Sequence, residues 1–210
     1  MLKTKSLLIV EFIGSFFLTG VVIGSGIMAE NLSQGNDALA LLGNTIATGA
    51  ILFVLIKSFS LVSGAHFNPV VSLVLFIKKE MEASLFLKYI TVQFFGAMVS
   101  VIVIHYYFNQ NLIQISTNIR GEEQLLISET IATFGLITTI LFVRKYNSDD
   151  MAAAVALFIT AGYWFTSSTS FANPAVTIAR TFTNTFTGIA PSSVPYFITG
   201  QLTGALFSNY

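Results

Sequence analysis

The 210-residue sequence contains no cysteine, only two histidines, four prolines, and 10% charged residues. Without cysteine there can be no disulfide, no thiolate metal site and no thiol nucleophile, and the redox compartment is left undetermined. His66 and His105 have no second ligand at metal-binding spacing, so neither a metal nor a cofactor is expected. A glycine-rich phosphate loop and a Ser-His-carboxylate set are also missing, which argues against an enzyme. Basic and acidic residues number ten each, so no net charge invites nucleic acid or an acidic partner.

What the chain has in plenty is apolar length. Hydrophobic residues make up 54% of it, the mean hydropathy is +0.76, and both values belong to the membrane class. A helix needs roughly 20 mostly apolar residues to cross a bilayer. Segments 6–28, 38–61, 84–108, 124–143, 151–168 and 191–208 approximate that length. The first run exceeds the roughly 7 to 15 residues of a signal-peptide core and is followed by no clean small-residue cleavage site, so a retained transmembrane helix is expected. Two further runs, 68–77 and 173–182, are too short to cross, and each reaches about half of the hydrocarbon core.

The chain repeats itself. "EFIGSFF" from Glu11 resembles "ETIATFG" from Glu129, "SGAHFNPVVSL" from Ser63 resembles "STSFANPAVTI" from Ser168, and "QFFGA" from Gln93 resembles "QLTGA" from Gln201. Each half, about 1–112 and 113–210, holds three spans and one half-span. An odd number of crossings inserts the halves with opposite orientation, giving an inverted repeat within one transmembrane domain, 1–210. Lys3, Lys5, Lys57, Lys78, Lys79, Lys88, Arg144 and Lys145 fall on one side. Arg120 and Arg180 fall on the other, beside Glu30, Asp37, Glu122 and Glu123, so both termini are expected in the cytoplasm.

Asn68-Pro69 and Asn173-Pro174 begin the two half-spans. Asn is a strong N-cap and Pro fits the first helical turn, so each pair reads as a helix start at membrane depth. Irregular backbone survives there only where it lines a watery path. With inverted halves the two starts meet near the midplane, each Asn capping its own helix through oxygen and offering amide donors to the lumen. Two electropositive helix ends with no carboxylate beside them disfavour cations and suit the oxygens of neutral solutes. A single Asn-Pro would more often be a plain turn; two at matching places of a repeat outweigh that reading.

On Glu11 and Glu129, the "SGAHFNPV" and "FANPAV" stretches and the two Gln-x-x-Gly-Ala motifs, the chain resembles the aquaporin and glycerol facilitator family over nearly its whole length. The resemblance implies an all-α bundle of six transmembrane helices and two half-helices, with a pore in each protomer of a homotetramer. It assigns Asn68 and Asn173 as the pore asparagines within motifs completed by Pro69, Val70, Pro174 and Ala175, with Val70 standing where the family commonly has Ala. Gly64, Ala65 and His66 become pore-lining loop residues, and Glu11 and Glu129 hold loop amides. A proton relay through the two carboxylates stays open, as does a merely packed His66.

The departure from the family comes after the second motif, where Val176 replaces the usual Arg and the nearest basic residue is Arg180, one turn further on. Arg180 either guards a displaced outer constriction or pairs with Glu122 or Glu123. Family spacing puts the other constriction positions at Thr48, Ala161 and Ser170. With Val176 this set is small throughout, which predicts a wide gap. Gly20 with Gly24, and Gly200 with Gly204, are expected at close helix contacts. The aromatic runs 105–108 and 163–165 are expected in an interfacial belt.

The resulting expectation is a passive channel in the plasma or bacterial inner membrane for water and small uncharged solutes such as glycerol, urea or undissociated metalloid acids. An ion-coupled secondary transporter and a closed-pore structural membrane protein are the rival classes.

Overall fold

The computed structural model describes residues 4–121 and 123–208, so Lys3 and Glu122 lie outside the described residues. Among the described residues, eight α-helices follow one another: α1 (Thr4–Leu32), α2 (Asp37–Ser63), α3 (Pro69–Ile77), α4 (Ala83–Tyr107), α5 (Glu123–Tyr146), α6 (Met151–Phe165), α7 (Pro174–Ala179) and α8 (Val194–Phe207). Four of them, α1, α2, α4 and α5, are long and apolar enough to span a bilayer by themselves. The fifth and sixth expected spans are shorter helices of 15 and 14 residues, each lengthened by a 3₁₀ turn, Ser148–Asp150 before α6 and Pro191–Ser193 before α8. The second half-span is likewise a six-residue α7 that tightens into a 3₁₀ turn, Arg180–Phe182.

Large apolar side chains cover the outside of the bundle, among them Phe17, Phe53, Phe95, Leu157, Trp164 and Phe207. Helices apolar on all sides have no solvent face to offer water, which suits lipid. The polar side chains are turned inward instead: Glu11, Gln93, Glu129 and Gln201 are all fully buried.

The principal helix pairs are α1 with α4 and, in the other half, α5 with α8. Both rest on backbone-to-backbone approach. A Cβ added to Gly96 of α4 would lie 2.5 Å from the Phe12 carbonyl oxygen, and one on Gly200 of α8 would lie 2.5 Å from that of Leu126. Gly200 and Gly204 meet the backbone of α5, whereas Gly20 and Gly24, also packed at the α1–α4 contact, meet side chains. Their nearest neighbours are side-chain atoms of Ile104, Ser100 and Phe108 at 3.3 Å or more, and they open onto a groove between α1 and α4. The tight residue of that pair is Gly96, on the opposite helix.

The aromatic belt also needs correcting. Tyr106, Tyr107, Trp164 and Phe165 are exposed, but Tyr163 and His105 are buried. His105 Nδ1–H donates to the Leu112 carbonyl at 3.0 Å and its Nε2 meets the Thr183 hydroxyl at 2.8 Å, tying the end of α4 to the loop after α7.

Candidate functional site

The two Asn-Pro stretches meet inside the bundle, and each asparagine is bound by both halves of the chain. Asn68 has extended backbone and accepts from Val70 N–H at 3.0 Å through Oδ1, and Pro69 is the first residue of α3. Asn173 does the same for Ala175 N–H at 3.0 Å, ahead of Pro174. These are N-caps that satisfy helix-end donors. The amides then cross over: Asn68 Nδ2 donates to the Ala172 carbonyl at 2.7 Å, and Asn173 Nδ2 donates to the Phe67 carbonyl at 2.9 Å. An amide nitrogen carries two hydrogens, so one per asparagine is left for the cavity that both side chains line.

The carbonyls can be reached because the backbone before each asparagine is turned over. Ala65 and Phe67, and equivalently Ser170 and Ala172, have φ between +46° and +52°, a region costing on the order of 1 kcal/mol or more for a residue with a Cβ. The buried carboxylates hold them there. Glu11 accepts from the backbone N–H of His66 at 3.0 Å and Phe67 at 2.7 Å, from Ser63 Oγ at 2.6 Å and from Gln93 Nε2 at 2.8 Å. Glu129 accepts from Phe171 N–H at 2.9 Å, Ala172 N–H at 2.8 Å and Gln201 Nε2 at 2.7 Å.

The same pattern recurs one layer out. Ser63 and Ser168 accept from the N–H two residues on, at 3.1 and 3.2 Å. Gln93 and Gln201 also donate to the hydroxyls of Ser72 and Thr177, which in turn donate to the Asn68 and Asn173 carbonyls. His66 adds a bond from Nδ1–H to Ser72 Oγ at 2.9 Å and still lines the cavity, together with Gly64 and Ala65. His66 is thus hydrogen-bonded within the loop and also borders the cavity.

One cavity of about 180 Å³ runs beside the asparagines, from Arg144 at the α3 mouth to Arg180 at the α7 mouth. Toward Arg144, which is ion-paired to Glu80 at 2.7 Å, its wall is apolar and includes Ile56, Leu75, Ile140, Met151 and Val155. Toward Arg180 it is polar. Thr48, Ser170 and Val176 line it, but Ala161 does not; that residue is exposed on the outer face of α6. Tyr163 takes its place, with its hydroxyl 3.1 Å from Thr48 Oγ1. Counting back from Asn173 overshoots by two residues, and two residues are about 200° of helix, enough to exchange the inner and outer faces. The lining is therefore not small throughout.

Arg180 is 3% exposed. Its Nε–H donates to the Thr187 carbonyl and its guanidinium lies 3.5 Å from the centroid of the Phe171 ring. Glu123 is exposed, and among the described residues no carboxylate pairs with Arg180. Arg180 thus lines the cavity and is not paired with Glu123, while the other expected partner, Glu122, lies outside the described residues.

The sequence at 2–160 matches the family model for major intrinsic protein. The chain belongs to the major intrinsic protein family. The matched stretch stops short of Asn173, and the internal repeat carries the likeness through the second motif. The chain is 44% identical over 198 residues to aquaglyceroporin AqpS of Rhizobium meliloti (strain 1021), covering 94% of this chain and 84% of that one. It is 30% identical over 166 residues to the glycerol uptake facilitator protein of Streptococcus pneumoniae (strain ATCC BAA-255 / R6), covering 70% and 67%. Among solved structures, the aquaglyceroporin from Plasmodium falciparum superposes with a TM-score of 0.71 at 21% identity, over 98% of this chain and 94% of that one.

For this major intrinsic protein, sequence reasoning missed Tyr163, Phe171, and the serine and threonine hydroxyls behind the loops. A signal for the serines was present: Ser63 and Ser168 each stand five residues before their asparagine.

Proposed function

We infer that this protein is a passive channel for water and small uncharged solutes, built as one transmembrane domain, 1–210, of two inverted halves. The observation that carries the reading is the cavity that passes beside two crossed asparagines, whose spare amide hydrogens offer donors and no charge. A donor-lined constriction between electropositive helix ends admits oxygen-bearing neutral solutes and disfavours cations. Both buried carboxylates spend their oxygens on backbone and glutamine donors behind the loops, which speaks against ion coupling through them.

The solute class follows from Thr48, Ser170 and Val176, whose small side chains leave room beside the Tyr163 ring, and from relatives named as aquaglyceroporin and glycerol uptake facilitator. Glycerol or urea is the proposed cargo, together with undissociated metalloid acids of similar size. The lysine-rich α3 mouth is assigned to the cytoplasm with both termini, in a cell membrane, and the assembly is a homotetramer. Stopped-flow light scattering on proteoliposomes tests the solute reading. Fast re-swelling in a glycerol gradient is expected; shrinkage by water alone with glycerol excluded would overturn it.

A further inference from the structure

At the α7 mouth two arginines meet one ring. Arg180 stacks 3.5 Å from the Phe171 centroid, and the Arg120 guanidinium carbon lies 5.8 Å from the same centroid. Arg180 is locked by its Nε–H bond to Thr187, which leaves its terminal N–H groups without an acceptor among the described residues while its side chain lines the cavity. Arg120 spends one terminal N–H on Thr169 Oγ1 at 3.3 Å. Among the described residues, no acidic group of that end is ion-paired to either arginine: Glu30 accepts from Phe186 N–H at 3.3 Å, and Asp37 and Glu123 are exposed.

A planar, immobilised guanidinium with free parallel N–H groups matches the two oxygens of a carboxylate or sulfonate. A buried guanidinium with no direct ion pair among the described residues favours taking up an anion. Just inward stand the Thr48 and Tyr163 hydroxyls, and beyond the asparagines begins the apolar wall of Ile56, Leu75, Ile140, Met151 and Val155. Apart from His66 and the backbone of residues 64–67, that wall offers an ion little to replace its hydration, so an anion can enter the α7 mouth and is disfavoured from crossing.

We propose that Arg180, supported by Arg120, forms a binding site for the oxyanion head of a small monoanion, and that occupancy plugs the mouth against neutral solutes. The blocking half of this proposal rests on the channel reading; the binding half does not.

The probe is methanesulfonate, which stays ionised at neutral pH, with dimethyl sulfone as its neutral shape analogue. In urea-gradient stopped-flow on phosphatidylcholine proteoliposomes, saturating methanesulfonate on both sides of the membrane should bring urea entry in the native chain down toward the rate of protein-free vesicles, as expected of a plugged mouth. Dimethyl sulfone should not. In detergent, methanesulfonate should raise the unfolding temperature of the purified protein by linkage. Arg180→Gln should lose both responses, each judged against that variant's own probe-free value, and Arg120→Gln should weaken both. If Arg180→Gln does not purify, Arg180→Lys, which keeps charge but not the fork, should show a reduced thermal shift. Responses that are absent in the native chain, or unchanged in the Arg180 variants, overturn the proposal. Should urea fail to enter even without probe, the channel reading is at fault, and the thermal shift still decides the site.

Discussion

The Tyr163 hydroxyl lies 3.1 Å from Thr48 Oγ1, joining α6 to α2 beside the α7 mouth of the cavity. With Val176 and Ser170 these two side chains line the stretch between Arg180 and the asparagines.

Removing the Tyr163 ring should widen the passage. Tyr163→Ala is expected to raise glycerol flux several-fold relative to water flux, whereas Tyr163→Phe loses only the hydroxyl contact and should cost about 1 kcal/mol of stability. Paired stopped-flow measurements with water and glycerol gradients check the first, and thermal unfolding in detergent the second. An unchanged flux ratio in Tyr163→Ala would move the narrow point elsewhere.

Val176→Arg restores a long cationic side chain where Val176 now lines the cavity. Glycerol and urea flux should fall more than water flux, because the added guanidinium takes up width that only the larger solutes need. Equal losses in both assays would mean that the new side chain does not reach the lumen.

The skeleton of this site was legible because membrane chemistry makes a few residues conspicuous. A carboxylate in an apolar span, as at Glu11 and Glu129, is costly unless held, and Asn-Pro in hydrophobic mass must be a structured break. The repeat then placed both pairs together. What the sequence could not carry was rotation and loop path. Whether Ala161 or Tyr163 faces inward depends on the number of residues between α6 and Asn173, which family spacing overestimates by two. The position of Arg180 depends on the loop of residues 183–190, where the Ile189 N–H bonds back to the Arg180 carbonyl at 3.1 Å and the Thr187 carbonyl receives the guanidinium. No periodicity announces that contact.

Glu11→Gln and Glu129→Gln test the frame behind the pore. A glutamine keeps one acceptor but points an NH₂ at a backbone N–H or at the Gln93 or Gln201 amide, so a satisfied bond becomes a donor facing a donor. A loss on the order of 3 kcal/mol is expected for each, together with lowered flux as the left-handed residues before the asparagines relax. Thermal unfolding in detergent reads the first effect. Full stability with flux that newly tracks a proton gradient would point to a relay instead.

Gly96→Ala and Gly20→Ala separate tight packing from mere smallness. The first places a methyl 2.5 Å from the Phe12 carbonyl oxygen, the second 3.5 Å from the Ile104 side chain. Gly96→Ala should therefore destabilise by ~2 kcal/mol or more, as overpacking does, while Gly20→Ala stays close to neutral. Unfolding temperatures of the two variants, measured side by side, decide the matter; similar values would contradict the close approach of α1 and α4.

The crossed amides also set an order of events during synthesis. When the first half has entered the membrane, Asn68 has no carbonyl to hold its nitrogen, because Ala172 has not yet been made, and the Phe67 carbonyl waits for Asn173. A ribosome stopped before the last quarter of the chain would leave a bundle with an unfinished centre. The water path closes its frame only when the loop before α7 arrives to grip the loop before α3.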